Sequence, residues 1–274
     1  MNSIDAACAA VREIVERTGN SHDLAYYQLH EQRYRRTARR ISELVPAGAR
    51  LLDVGSHYLH QSAILKVLGY DVAGMDVPAH AALPFVATRA KSLGVVNHEV
   101  SGDDFGAGRF LGGAADAFDC VVFCEILEHI TFNPVNFWRR IHELLRAGGI
   151  IYLTTPNAVK LLSVLGAVWN AVTLRKIGLS VKQIFHHVTF GHHWKEYSAR
   201  EIVEYFRTLS PDFEVRVCRI HYGPPSADVR AGLGKVRTAI LQLGNLSGVL
   251  ADNLEAVVRL KAKTPWTAAA PASG

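Results

Sequence analysis

The chain of 274 residues carries 49% apolar and 20% charged residues. That balance excludes a disordered or low-complexity protein and suits one large domain or two small ones. Its four cysteines, Cys8, Cys120, Cys124 and Cys218, form no C-x-x-C pair, which excludes a disulfide framework and a zinc ribbon and fits a reducing compartment. The net charge of +5 is mild, and part of it sits in Arg33-Tyr34-Arg35-Arg36 and Arg39-Arg40, a run that reads as a solvated helix face or as a contact for an anionic substrate or membrane surface.

The first forty-five residues read as helical, with apolar positions at helical spacing from Ile4 to Leu44, closed by Pro46-Ala47-Gly48. Met1 to Arg12 has polar and acidic residues where a signal peptide needs a basic start and an apolar core. A strand follows at Arg50 to Val54, a helix at Ser62 to Leu68, and a second strand at Tyr70 to Met75. Val95 to Val100, Asp119 to Phe123 and Ile150 to Thr154 give three more strands. Asn133-Pro134 starts a helix that runs to Arg146 and stops at Gly148-Gly149. Strands alternating with helices at this spacing predict βαβ crossovers, hence a doubly wound, mostly parallel α/β sheet.

After Pro156 the pattern changes. Ala158 to Leu174 reads as an amphipathic helix with Leu161, Leu162, Leu165, Val168 and Trp169 on its apolar side; its longest apolar run, about 14 residues with polar interruptions, is too short to span a bilayer. A histidine-rich loop, His186 to His193, leads to a helix at Ser198 to Leu209 and a strand at Phe213 to His221. A helix near Arg230 to Leu241 and a last strand, Glu255 to Lys261, complete the pattern. The expected organisation is an N-terminal helical lid (1–45), one catalytic domain (46–263) with an acceptor-side insertion (157–193), and a disordered tail (264–274). The expected location is the cytoplasm.

Ligands of open parallel sheets bind beyond the carboxyl ends of the strands. Those positions hold Asp53-Val54-Gly55-Ser56, then Asp76 about twenty residues on, then Ser101-Gly102-Asp103-Asp104. The spacing matches a nucleotide-binding turn followed by a carboxylate for ribose hydroxyls. LLDVGS (51–56), GYDVAGMDV (69–77), SGDDF (101–105), FDCVVFCEILEHI (118–130), LLRAGGIIYLTTPN (144–157) and GHHWKEYSAREI (191–202) follow in order. Together they resemble a class I S-adenosylmethionine-dependent methyltransferase of the type 11 and type 23 group. The resemblance implies a seven-stranded Rossmann-like sheet and S-adenosyl-L-methionine as cofactor. It implies Asp53 and Gly55 at the methionine end, Asp76 on the ribose, Asp103 on the adenine amino group, and Cys124 beside the sulfonium. It also implies a lid carrying Tyr26, Tyr27 and Tyr34. His57 and Leu59 depart from the pattern by replacing glycines, which restricts the loop backbone.

Methyl transfer to a hydroxyl needs alignment and a base. Glu125, Glu128 and His129 share one face if the turn after the fourth strand is helical, and His186, His187, His192 and His193 crowd the later loop; His129 and His193 are the candidate bases. The expected reaction is O-methylation of a small-molecule, sugar or glycolipid hydroxyl without a metal. One alternative rests on E-x-x-E-H plus a downstream histidine, which resembles the metal site of small-RNA terminal 2′-O-methyltransferases. There Glu125, Glu128, His129 and His193 would hold a magnesium-like ion. The insertion departs from that family, and no aromatic-plus-basic stripe suggests a nucleic-acid partner. A second alternative is a non-catalytic binding copy.

Overall fold

The computed structural model describes residues 3–173, 192–222 and 235–268. Helices α1 (Ser3–Arg17) and α2 (Ser21–Leu44) come first. Asn20 caps α2 by accepting from the backbone N–H groups of His22 and Asp23. The alternating core follows: β1 (Arg50–Val54), α3 (His60–Val67), β2 (Asp71–Asp76), α4 (Pro78–Ala81), α5 (Pro84–Leu93), β3 (Val96–Glu99), α6 (Gly102–Ala107), β4 (Phe118–Cys124), α7 (Val135–Leu144) and β5 (Leu145–Pro156). Then come α8 (Leu161–Val172), α9 (Ala199–Leu209), β6 (Phe213–Ile220), α10 (Lys235–Leu246) and β7 (Asn253–Leu260).

The seven strands lie in the order β3-β2-β1-β4-β5-β7-β6. Those from β3 to β5 pair in parallel, while β7 pairs antiparallel with both β5 and β6. The central strands are apolar because both faces are covered: Cys120, Val121, Val122 and Phe123 of β4 are all fully buried. One core layer gathers Phe123, Phe137, Trp138 and Phe206 under α7 and α9; another packs Ile41, Leu51 and Tyr152 against α2.

Three differences from the sequence reading have a clear physical cause. The fifth strand starts at Leu145 rather than Ile150, because Gly148 (φ +82) and Gly149 let the chain bend without leaving the sheet; a Cβ on Gly149 would lie 2.9 Å from the carbonyl oxygens of Arg146 and Asp119. The register shifts between Phe118 and Cys120 at that bend. Helix α7 correspondingly ends at Leu144, not Arg146, and Pro134 takes the cap position while the Asn133 side chain accepts from the Val135 N–H. At the C-terminus, residues 264–268, assigned above to a disordered tail, are held. Thr264 donates through its N–H and hydroxyl to Asp212, and the Trp266 ring lies 5.4 Å from that of His142.

Three arginines of the run, Arg35, Arg36 and Arg40, make ion pairs within the fold, whereas Arg39 is exposed. Arg35 pairs with Asp5 and Glu31, tying α2 to α1. Arg40 and Arg36 lie 3.0 and 3.3 Å from the buried Glu255 carboxylate of β7, which also accepts from the Tyr152 hydroxyl at 3.0 Å. Among the described residues, no helix is long and apolar enough to cross a membrane. Ser198 forms a full capping box with Glu201 at the start of α9.

Trp138 is fully buried and donates its indole N–H to the Tyr205 hydroxyl at 2.8 Å. Trp138→Ala is expected to lower the free energy of unfolding by about 3–5 kcal/mol, read from urea denaturation; a loss under about 1 kcal/mol would show that this layer does not hold the sheet.

Candidate active site

The strand order reverses between β1 and β4. Helices leave to opposite faces there, so the carboxyl ends of the strands open a crevice, and the structure has a cavity of about 490 Å³ at that place. Asp53, Gly55, Asp76, Cys124 and His129 line it, as do three residues that the motif reading did not select for the site: Arg33, His80 and Ile126.

The loop after β1 forms its floor. Gly55 (φ +69) has its N–H bonded to the Met75 carbonyl at 2.8 Å, and a Cβ built on it would lie 2.1 Å from Cδ1 of Ile126. His57 (φ +47) and Leu59 (φ +61) hold the left-handed conformation that glycine normally supplies. The loop therefore keeps its shape at a cost of roughly 1–2 kcal/mol per residue, offset by packing. Leu59 is fully buried, and the His57 ring stacks on Tyr26 with centroids 4.4 Å apart. Burial pushes the His57 ring down to about 3, so it is neutral.

Asp76 stands at the end of β2, nearly buried. Its carboxylate accepts from the N–H groups of His57 and Val77, both at 2.7 Å, and Nδ1 of His80 lies 3.1 Å from Oδ1. Asp53 is buried at the end of β1 and accepts from the Ser62 hydroxyl. Burial, against that bond, pushes its carboxyl up to about 7. Burial likewise pushes the Cys124 thiol up to about 12, which keeps it protonated and non-nucleophilic. Asp103 does not join these groups: it is exposed in the first turn of α6 and is not part of the cavity wall. Its motif places it after β3, but the buried face of that short helix belongs to Phe105.

Beyond β4 the chain turns sharply. Glu125 adopts φ +57, so the turn is not one helical face; the next residues, Leu127–His129, form a single 3₁₀ turn. Glu125 contributes none of the donor atoms gathered with those of Glu128 and His129; it accepts from the hydroxyls of Thr154 (2.9 Å) and Tyr222 (2.8 Å). Glu128 is fully buried, with the Thr155 hydroxyl on Oε2 and, among the described residues, no hydrogen-bond partner on Oε1. Burial, reinforced by the nearby Glu125 charge, pushes its carboxyl up to about 8.

The later loop crosses this turn. The Trp194 N–H donates to the Glu128 carbonyl at 2.8 Å, and Nδ1 of His129 lies 2.9 Å from the His192 carbonyl. That contact requires the proton on Nδ1 and leaves Nε2 with its lone pair, 3.9 Å from Oε1 of Glu128. The His129 and His193 rings are 5.0 Å apart, and donor atoms of Glu128, His129 and His193 lie within 4.8 Å of one another. Burial lowers the His129 pKa, whereas a bond to Glu196 raises that of His193. His186 and His187 lie outside the described residues. Helix α8 forms, but none of its residues is buried or lines the cavity; Leu165, Val168 and Trp169 are exposed, and it packs on α10 instead, with Leu161 close to Gly244.

Residues 29–209 match a family described as a methyltransferase domain. Among curated relatives, a ubiquinone biosynthesis O-methyltransferase of Ruegeria pomeroyi is 33% identical over 114 residues, 40% of this chain and 42% of that protein. One of Caulobacter vibrioides is 28% identical over 165 residues, 60% and 59% of the two chains. The chain thus spans about half the length of the curated relatives it matches. A solved S-adenosylmethionine-dependent methyltransferase of Thermotoga maritima superposes with a TM-score of 0.54 at 15% identity, over 92% of this chain and all of the other, a likeness of fold.

Because the carboxyl of Asp53 keeps its proton to a higher pH in the folded chain than the ordinary 3.8, the folded state binds more protons than the unfolded one between pH 3.8 and about 7. Stability contributed at this site is therefore lost as pH rises through that window. Relative to Asp53→Asn, the wild type is expected to lose stability on the order of 3 kcal/mol between pH 4 and pH 8. Urea midpoints of both proteins across that range test this, and a difference that does not change with pH contradicts it.

Proposed function

The chain belongs to the methyltransferase domain family, and from that premise we propose that it is an S-adenosylmethionine-dependent methyltransferase that methylates a hydroxyl oxygen on a small, ring-bearing acceptor. The observation that carries this reading is the shared wall: His129, with an unprotonated Nε2, lines the same cavity as Asp53, Gly55 and Asp76. The names of the relatives support oxygen as the methylated atom. The apolar wall of Phe105, Phe123, Ile130, Phe132 and Phe137 supports a ring-bearing acceptor over a polysaccharide or an RNA end.

The cofactor fits the residues present. The Gly55 turn has no room for a side chain, Asp76 offers a carboxylate to vicinal hydroxyls, and Arg33 brings a cation to the other end for the cofactor's carboxylate. When bound, S-adenosylmethionine supplies an electrophilic methyl group. The chain's own part is to exclude water with its aromatic wall and to align the acceptor. His129 removes the hydroxyl proton through Nε2, its other nitrogen held by the His192 carbonyl. His193, beside it, offers the passage for that proton toward Glu196.

A second reading is favoured by the unpartnered Oε1 of the buried Glu128. In it, Glu128, His129 and His193 hold a divalent ion, a mixed oxygen and imidazole set suited to magnesium, manganese or zinc. Such an ion would lower the pKa of the acceptor hydroxyl and orient it.

Incubation with methyl-labelled S-adenosylmethionine and separate panels of phenols, glycans and RNA ends is expected to label the phenols, with and without chelator. Label on RNA ends alone would overturn the acceptor class. Turnover abolished by chelator, with S-adenosylhomocysteine affinity intact, would establish the metal reading in place of the metal-free one. Asp76→Ala is expected to weaken S-adenosylhomocysteine binding by about tenfold or more in calorimetry, since a charge-assisted bond to two hydroxyls is lost.

A further inference from the structure

Arg33 and Tyr34 enter the cavity side by side from α2. Unlike Arg35, Arg36 and Arg40 on the same helix, Arg33 pairs with no carboxylate among the described residues. Its guanidinium lies over the Tyr34 ring, 5.4 Å from the centroid. A long, flexible cation in a partly dry pocket needs something to aim it, and the Tyr34 ring is packed against it.

Behind Tyr34 runs a buried chain of three groups. The Tyr34 hydroxyl lies 3.2 Å from Nδ1 of His60, and Nε2 of His60 lies 2.8 Å from Oδ1 of Asp23. Asp23 and His60 are 0% and 2% exposed. Both oxygens of Asp23 also meet Arg89, which in turn donates to the Tyr58 carbonyl. Burial disfavours charge on Asp23, but the bonds from His60 and Arg89 outweigh it and hold the carboxyl below its ordinary value. Burial lowers the His60 pKa as well, so the ring is neutral with one N–H.

These facts fix every proton in the chain. An ionised Asp23 only accepts, so the His60 proton sits on Nε2. Nδ1 then has a lone pair and accepts from Tyr34. The Tyr34 proton is thereby turned inward, and its oxygen presents only lone pairs to the cavity side, where a guanidinium is the complementary donor.

We propose that Asp23, His60 and Tyr34 are positioning residues that aim Arg33 at the carboxylate on the amino-acid end of the cofactor. The proposal rests on the cofactor reading above. It also gives one reason why α2 is pinned at Asp23, deep in its first turn, to the helix that follows the nucleotide-binding loop: the cation and the loop are set by the same chain of bonds.

Two ligands separate this role from a merely structural one. S-Adenosylhomocysteine carries the carboxylate; 5′-methylthioadenosine shares the nucleoside and sulfur but lacks it. In calorimetry with the full chain, Tyr34→Phe is expected to weaken S-adenosylhomocysteine about tenfold and 5′-methylthioadenosine less than about twofold. Asp23→Asn should show the same selective loss. The double variant Arg33→Lys with Tyr34→Phe should bind S-adenosylhomocysteine no worse than Arg33→Lys alone, because the relay acts through Arg33. Equal weakening of both ligands in Tyr34→Phe, or unchanged S-adenosylhomocysteine binding, overturns the relay while leaving the cofactor reading intact. Failure of the wild type to bind S-adenosylhomocysteine contradicts the cofactor reading itself, and the relay falls with it.

Discussion

The reversal of strand order between β1 and β4 is the constraint on which the rest of the molecule depends. Parallel strands that diverge to opposite sides leave one crevice at their carboxyl ends, and each of four walls around it delivers a different chemical group. The loop after β1 gives a glycine turn, the end of β2 a carboxylate, the turn after β4 a buried glutamate and a histidine. The fourth wall, formed by α2, supplies the cation. Nothing in the alternating core is itself reactive; it holds those loops at fixed separation.

The buried charges show how the walls are fastened. Glu255 clamps α2 to β7 through Arg40, and Asp23 clamps the same helix to α3 and α5 through His60 and Arg89. Each clamp is satisfied by several donors, as buried charges require. Asp53 and Glu128 are different: among the described residues neither has a cationic partner within ion-pair distance apart from the 3.9 Å approach of His129 to Glu128, and burial pushes both carboxyls well above the ordinary range. Such groups concentrate where a site waits for its ligand.

Much of this was legible in the sequence, for identifiable reasons. Hydrophobic runs bounded by glycine and proline exposed β1 to β5, since strands buried on both faces have little freedom of composition. Asp53, Gly55 and Asp76 could be placed at the cavity from sequence because their positions depend on short-range spacing after a strand. The same logic does not bring Asp103 to the cavity wall, because the motif fixes its position in sequence and not the face of α6 on which it falls. Arg33 was hidden inside a basic run: five arginines at neighbouring helical positions look alike until the partners of Arg35, Arg36 and Arg40, on α1, α2 and β7, are known. The contact between His193 and His129 depends on a loop from far along the chain, and the strained Glu125 that breaks up the E-x-x-E-H face has no local signature. His57 and Leu59 looked like losses of the glycine loop, yet the backbone keeps its left-handed angles, with packing by Tyr26 and the α5 side bearing the strain.

The central claim is that this crevice is the cofactor site, with its nucleoside end at Asp76 and its amino-acid end at Gly55 and Arg33. A crystal structure of the chain soaked or grown with S-adenosylhomocysteine tests it most directly. The account predicts both ribose hydroxyls within hydrogen-bond distance of the Asp76 carboxylate and the ligand's carboxylate on the Arg33 guanidinium. Ligand density elsewhere on the molecule, or in the cavity with no contact to Asp76, contradicts it.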